Sequence, residues 1–166
     1  KEFKSKIDVQ SESFLKNRTE MLKKIKEMRN LEKRSFNASE SKRKKFEDRN
    51  QLTPRERLNA LIDPDSEFIE LYNMAGFLVE DDDPQTSIPG ASVIAGIGFI
   101  KGVRCMIMVD DSGINAGAAT STTVDKCVGC LDISLEKKLP FIHLVESAGI
   151  NLMNYKVEIW ARAGGM

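Results

Sequence analysis

Apolar positions in the first third of the chain fall on narrow stripes. Phe14, Met21, Ile25 and Met28 recur at helical spacing, interrupted by Arg18, with Lys and Glu between them. This predicts a helix over residues 11–34 that lies on something rather than inside it. Residues 35–50 are polar and rich in Lys, Arg and Ser, and read as a linker with room for a short helix. A helix start is then written at Leu52-Thr53-Pro54-Arg55-Glu56. Thr53 can cap, Pro54 suits the first helical position, and Glu56 can bond back to the Thr53 amide. This helix should turn Leu58, Leu61 and Ile62 inward. It should stop near Asp63-Pro64, because a residue before proline is pushed out of helical geometry.

Past Pro64 the periods shorten. Residues 67–71 read as a short strand, and the acidic run Glu80–Asp83, followed by Pro84, reads as a surface loop. Residues 92–100 (SVIAGIGFI) form a buried strand, Lys101-Gly102 a tight hairpin turn, and residues 103–110 (VRCMIMVD) the return strand. A small-residue loop, 111–121, leads to a helix over about 122–139, with Val124, Cys127, Val128, Leu131 and Leu135 on one face. Pro140 ends it. Residues 141–146 (FIHLVE) read as a strand buried on both sides, followed directly by Ser147-Ala148-Gly149-Ile150. Strand, helix, strand and small-residue turn in that order predict an α/β layered fold.

The 166 residues suffice for one domain with a real core, and 41% apolar with 30% charged residues is a globular composition. No apolar run approaches the ~20 residues of a membrane span. A net charge of zero conceals an asymmetry: residues 1–58 carry 18 Lys/Arg against 10 Asp/Glu, and residues 59–166 carry 7 against 15. A basic front can meet nucleic acid, a membrane surface or a phosphorylated ligand, or be a solvated helix surface. Its aromatic residues (Phe3, Phe14, Phe36 and Phe46) follow no RNA-binding pattern, which speaks against a nucleic-acid module. Three cysteines, Cys105, Cys127 and Cys130, are too few and too odd for a disulfide framework and fit a reducing compartment.

Several residues could carry chemistry. A buried strand ending in Ser147-Ala148-Gly149 can bring bare backbone amides close to a ligand, as an oxyanion hole does, although turn formation alone would also account for small residues there. The loop Gly113–Ser121 is a second such place, but it lacks a nucleotide-binding glycine signature. Cys127-Val128-Gly129-Cys130 lies within a predicted helix, without the second ligand pair that structural zinc wants. His143, alternating with Ile142 and Leu144, reads as a core histidine.

Taken together, three stretches resemble the N-terminal part of the carboxyltransferase (beta) subunit of biotin-dependent acyl-CoA carboxylases of the propionyl- and methylcrotonyl-CoA type. They are LTPRERLNALIDPDSEFIEL (52–71), GASVIAGIGFIKGVRCMIMVDD (90–111) and SLEKKLPFIHLVESAGINL (134–152). The resemblance implies a crotonase-like fold of ββα units preceded by N-terminal helices. Residues 1–58 would be a basic helical segment, and residues 59–166 the first part of an acyl-CoA-binding domain that is incomplete here. It implies carboxyl transfer from carboxybiotin to the α-carbon of an acyl-CoA, through an enolate held by backbone amides.

The family's oxyanion donor maps onto Ile150, supported by Gly149. Ser147, Ala148, Gly117 and Ala118 become substrate-binding positions, and Arg55 and Arg57 ligands for the coenzyme A phosphates. The implied cofactor is biotin, carried by a biotin carboxylase or biotin carrier subunit, and no metal is implied. A homo-oligomer is expected, with no nucleic-acid or membrane partner. The expected compartment is the cytoplasm, or the mitochondrial matrix if an upstream transit peptide has been removed. A biotin-linked acyl-CoA decarboxylase or another crotonase-like enzyme would share the turn. The four clustered cysteines of the zinc-ribbon branch are missing.

Overall fold

The computed structural model describes residues 4–150 together with 157, 158 and 161. Helix α1 spans Glu12–Glu40, longer than the stripe predicts, and α2 (Arg43–Glu47) follows almost at once. Of the serines that read as linker, Ser35 and Ser39 lie within α1 and Ser41 caps its end. Ser35 and Ser41 donate back to the carbonyls of Glu32 (3.0 Å) and Ala38 (2.7 Å). Buried Ser39 donates to Asp111 Oδ1 at 2.7 Å, fastening the end of α1 to the domain. The first two-thirds of α1 leaves Leu15, Met21, Leu22, Ile25 and Met28 exposed.

Helix α3 (Pro54–Leu61) begins with the expected capping box: Thr53 Oγ1 accepts the Glu56 N–H at 3.3 Å, and Glu56 Oε2 accepts the Thr53 N–H at 2.8 Å. Bonds from Arg43 and then Thr53 hold the Glu56 carboxyl down at about 2, so the box works in its charged form. Strand β1 shrinks to Ile69–Glu70. It pairs antiparallel with β2 (Val93–Ile100) opposite Gly96, where a Cβ would collide with the Ile69 carbonyl and the Phe68 ring.

The hairpin of β2 with β3 (Val103–Asp110) is in one-to-one register from Val93↔Asp110 to Ile100↔Val103. Lys101 and Gly102, at φ of 52° and 76°, form the left-handed two-residue turn that matches strand twist. Asp63 caps it: its carboxylate accepts the Lys101 and Gly102 N–H groups at 2.6 and 2.7 Å.

Helix α4 (Ser121–Lys137) crosses over to β4 (Phe141–Leu144), which pairs parallel to β3, giving the order β1-β2-β3-β4. One face of the sheet packs Ile94, Cys105, Ile107 and Val109 against Leu58 of α3. The other packs Val93, Ala95, Met106 and Met108 against Cys130 of α4. Two expectations fail here. The inward face of α4 keeps Val124 and Cys127 of the expected stripe but turns away from Leu135, which is 81% exposed; Lys126, Cys130 and Ser134 are buried beside Val124. Lys126, 2% exposed, is needed inside, because its Nζ donates to the carbonyls of Gly90 (3.1 Å) and Val93 (2.5 Å). Nor is β4 buried on both sides. Its only strand partner among the described residues is β3, and His143 and Val145 are exposed.

Candidate functional site

The site forms where β3 and β4 end side by side. Both strands run parallel, so their carboxyl ends point the same way, and the segments that follow, 111–120 and 145–150, meet there. The Asp110 carboxylate braces the junction. Its Oδ2 accepts the Glu146 N–H at 3.0 Å, and its Oδ1 lies 2.8 Å from His143 Nε2. Among the described residues His143 is therefore exposed and paired with Asp110, not enclosed as the sequence pattern predicts. Asp111 points the other way, to Ser39 and the Gly113 N–H; burial pushes its carboxyl upward and those two bonds oppose the shift.

The two loops are zipped together. Asn115, Ala116 and Gly117 are all left-handed (φ 49°, 54° and 68°), which folds the first loop into a single tight turn. The Ala148 N–H donates to the Ala116 carbonyl at 3.0 Å, and the Ala119 N–H to the Gly149 carbonyl at 2.8 Å. Ala119 and Ile150 form a parallel bridge. Gly117 must be glycine, since a Cβ there would sit 2.5 Å from the Glu146 carbonyl oxygen. Ser147 Oγ donates to the Gly117 carbonyl at 2.5 Å and accepts the Gly149 N–H at 3.0 Å. Among the described residues the N–H groups of Ser147 and Ile150 make no hydrogen bond.

A cleft of about 220 Å³ opens beside the turn. It is lined by Ala116, Ser147 and Ala148 of the two loops, by Ser112 and Glu146, and by Lys45, Phe46 and Arg49 from α2 and just beyond it. The Glu146 carboxylate is neutralised where it stands, by Arg57 Nη2 at 3.0 Å and the Ser112 hydroxyl at 2.9 Å. Lys45 and Arg49 make no ion pair among the described residues. Across the first loop a larger cavity of about 520 Å³ is lined by Ala118, Thr120, Thr122, Glu80 and Asp81 among others.

The structure thus brings Gly117, Ala118, Ser147, Ala148, Gly149 and Ile150 together. Arg57 reaches them only through Glu146 and the Asp110 carbonyl (2.7 Å). Arg55 lines neither cavity: its guanidinium is forked onto Glu70 at 3.1 and 3.3 Å, over the Phe36 ring. Sequence reasoning passed over Asp110, Ser112, Glu146, Lys45 and Arg49. The signal for Asp110 and Glu146 was an acidic residue closing a buried strand; Lys45 and Arg49 are indistinguishable from their basic neighbours until the chain folds.

The model of the carboxyl transferase domain family matches residues 45–165. The chain belongs to this family. The match covers all three stretches on which the resemblance rests and begins at the basic wall of the cleft. A probable biotin-dependent acyl-coenzyme A carboxylase beta2 subunit of Mycobacterium tuberculosis is 40% identical over 118 residues, 71% of this chain and 21% of that protein. The mitochondrial methylcrotonoyl-CoA carboxylase beta chain of Arabidopsis thaliana is 34% identical over 147 residues, 88% and 24%. The beta subunit of geranyl-CoA carboxylase from P. aeruginosa superposes with a TM-score of 0.89 at 39% identity, over 98% of this chain and 30% of that one. Transcarboxylase 12S, solved as a hexamer with methylmalonyl-coenzyme A bound, shares the fold at 23% identity and a TM-score of 0.71. The mixed α/β, crotonase-like fold expected from the sequence is the one found. The chain spans about a quarter of the length of these curated relatives.

Proposed function

We propose that this segment forms the acyl-CoA side of the carboxyltransferase component of a biotin-dependent acyl-CoA carboxylase. The observation that carries the reading is the zipped turn after β4, whose Ile150 N–H makes no hydrogen bond among the described residues. In enolate formation, negative charge grows on the thioester oxygen only as the α-proton leaves. A fixed N–H there stabilises the transition state more than the bound substrate. Biotin, borne by a partner carboxylase or carrier subunit, supplies the carboxyl group. No residue of this segment is assigned to its ring.

The cleft suits the rest of the ligand. Lys45 and Arg49 face it without an ion-pair partner, so phosphate can bind them without displacing a carboxylate. Arg55 and Arg57 can serve the same phosphates only by exchanging Glu70 and Glu146 for the ligand. The compartment is the cytoplasm or the mitochondrial matrix, and the assembly a homo-oligomer with its biotin-bearing partner, with neither nucleic acid nor membrane engaged. A division into a basic segment, 1–58, and a carboxyltransferase segment, 59–166, goes with this reading.

The test is the holoenzyme, assayed with a series of acyl-CoA esters for carboxylation and for decarboxylation of the carboxylated products, together with its structure bound to acyl-CoA. The Ile150 nitrogen should lie within about 3.2 Å of the thioester oxygen. Lys45→Ala with Arg49→Ala should raise the acyl-CoA KM with little change in kcat, and by more than Arg55→Ala with Arg57→Ala does. A thioester seated in the larger cavity, away from Ile150, would overturn the assignment.

A further inference from the structure

A backbone donor is only as good as the rigidity of the turn that holds it. The turn after β4 bends at Gly149, whose φ of +91° is open to glycine but rarely adopted by L side chains, so the backbone there has freedom that must be restrained. Ser147 supplies the only side-chain hydrogen bonds within residues 147–150. Its hydroxyl proton goes to the Gly117 carbonyl at 2.5 Å, across the gap between the two loops. Its oxygen takes the Gly149 N–H at 3.0 Å. One hydroxyl therefore does three things. It ties the second loop to the first, it holds Gly149 in its left-handed conformation, and it occupies the amide next to Ile150.

We infer that Ser147 is a positioning residue, whose hydroxyl bridge from Gly117 to Gly149 aims the Ile150 N–H at the thioester oxygen without itself touching the reacting atoms. This rests on the function proposed above. A serine beside a reactive thioester invites a second reading, as a nucleophile, and the geometry argues against it. A nucleophile's proton must pass to a base. Here it is committed to a peptide carbonyl, while His143 Nε2 is held by Asp110. With the hydroxyl gone, the Gly117 carbonyl loses its cross-loop partner and the Gly149 N–H is freed to compete for the substrate oxygen. The Ile150 amide then keeps its chemistry and loses its aim.

The experiment compares Ser147→Ala and Ser147→Thr with wild type in the holoenzyme, measuring kcat, the acyl-CoA KM and the Kd of coenzyme A. Misplacing a reacting group by about an ångström costs roughly a hundredfold. Ser147→Ala is therefore expected to lower kcat roughly ten- to a hundredfold, with KM and the coenzyme A Kd within about twofold. Ser147→Thr, which keeps the hydroxyl, should return kcat to within about threefold of wild type. Should the alanine variant fail to assemble, Ser147→Cys, nearly isosteric but a weak donor, is read by the same split. An unchanged kcat in Ser147→Ala, a KM that rises in step with the fall in kcat, or a threonine variant no better than alanine overturns the inference alone. A covalent acyl adduct on Ser147 also overturns it. A wild-type holoenzyme that turns over no acyl-CoA overturns the functional reading and this inference with it.

Discussion

Two tight turns in this molecule follow strands of the sheet and use left-handed backbone, yet they are finished in opposite ways. At the hairpin, the amides of Lys101 and Gly102 both point at the Asp63 carboxylate and are satisfied within the chain. At the turn after β4, Ala148 and Gly149 are satisfied internally, while Ser147 and Ile150 have no acceptor among the described residues. The carbonyls of the segment at 90–93 give a third case, closed by the buried Lys126 ammonium. The fold has the means to cap a turn with an anion or a cation and uses both; it leaves one turn without either. Asp63 also shows what the open turn lacks: an oxygen anion within hydrogen-bonding reach of adjacent backbone N–H groups.

The cation-capped case should move most. Burial brings the Lys126 ammonium down from 10.5 to about 8, with Glu70 and Cys130 opposing that shift and Arg55 adding to it. Between those two values the unfolded chain holds a proton that the folded chain has released, so stability rises with pH across that window and is flat below it. The full rise is at most about 3 kcal/mol. Denaturant melts of Lys126→Met against wild type from pH 7 to 10.5 should show the rise in wild type only. Parallel curves would mean that the buried amine does not titrate in that window.

The open turn comes next, and should respond in rate more than in stability. Gly117→Ala pushes a methyl group toward the Glu146 carbonyl and prises the two loops apart. In the holoenzyme kcat should fall roughly a hundredfold, while the melting temperature drops only a few degrees. Full activity in that variant would mean that the first loop does not support the second. The anion-capped hairpin should show the smallest effect. Its bonds are exposed, so Asp63→Ala should cost about 1 kcal/mol by denaturant melting and leave kcat alone. A loss of activity there would erase the distinction between the turns.

How far each turn could be foreseen follows the same division. The capping box at Thr53 and the turn at Lys101-Gly102 depend on neighbours within three residues, and both stand where the pattern puts them. In helix α4 periodicity marked one apolar face. The far end of that stripe, Leu135, faces out, because carbonyls at Gly90 and Val93, more than thirty residues away, draw Lys126 inward. The outward position of His143 was hidden for a related reason: a continuous apolar run reads as two-sided burial whether or not a neighbouring strand covers it. Small residues marked the loops at 113–121 and 147–150. What surrounds them comes from β3, from the end of β4 and from the basic stretch after α1, and no spacing along the chain connects Lys45 to Ser147.

The one-to-one register of β2 with β3 also bears on how this part of the chain can diverge. Because side chains alternate faces, one residue gained or lost inside β2 or β3 would turn the residues beyond it to the opposite face, sending some that meet Leu58 toward Cys130. A compensating change on the opposite strand would rescue the pairing but shift Asp110 away from His143 and Glu146. Insertions and deletions inside these two strands are therefore costly. Length variation among descendants of this sequence should therefore collect in the exposed acidic loop at 80–86, which carries no strand and touches neither core.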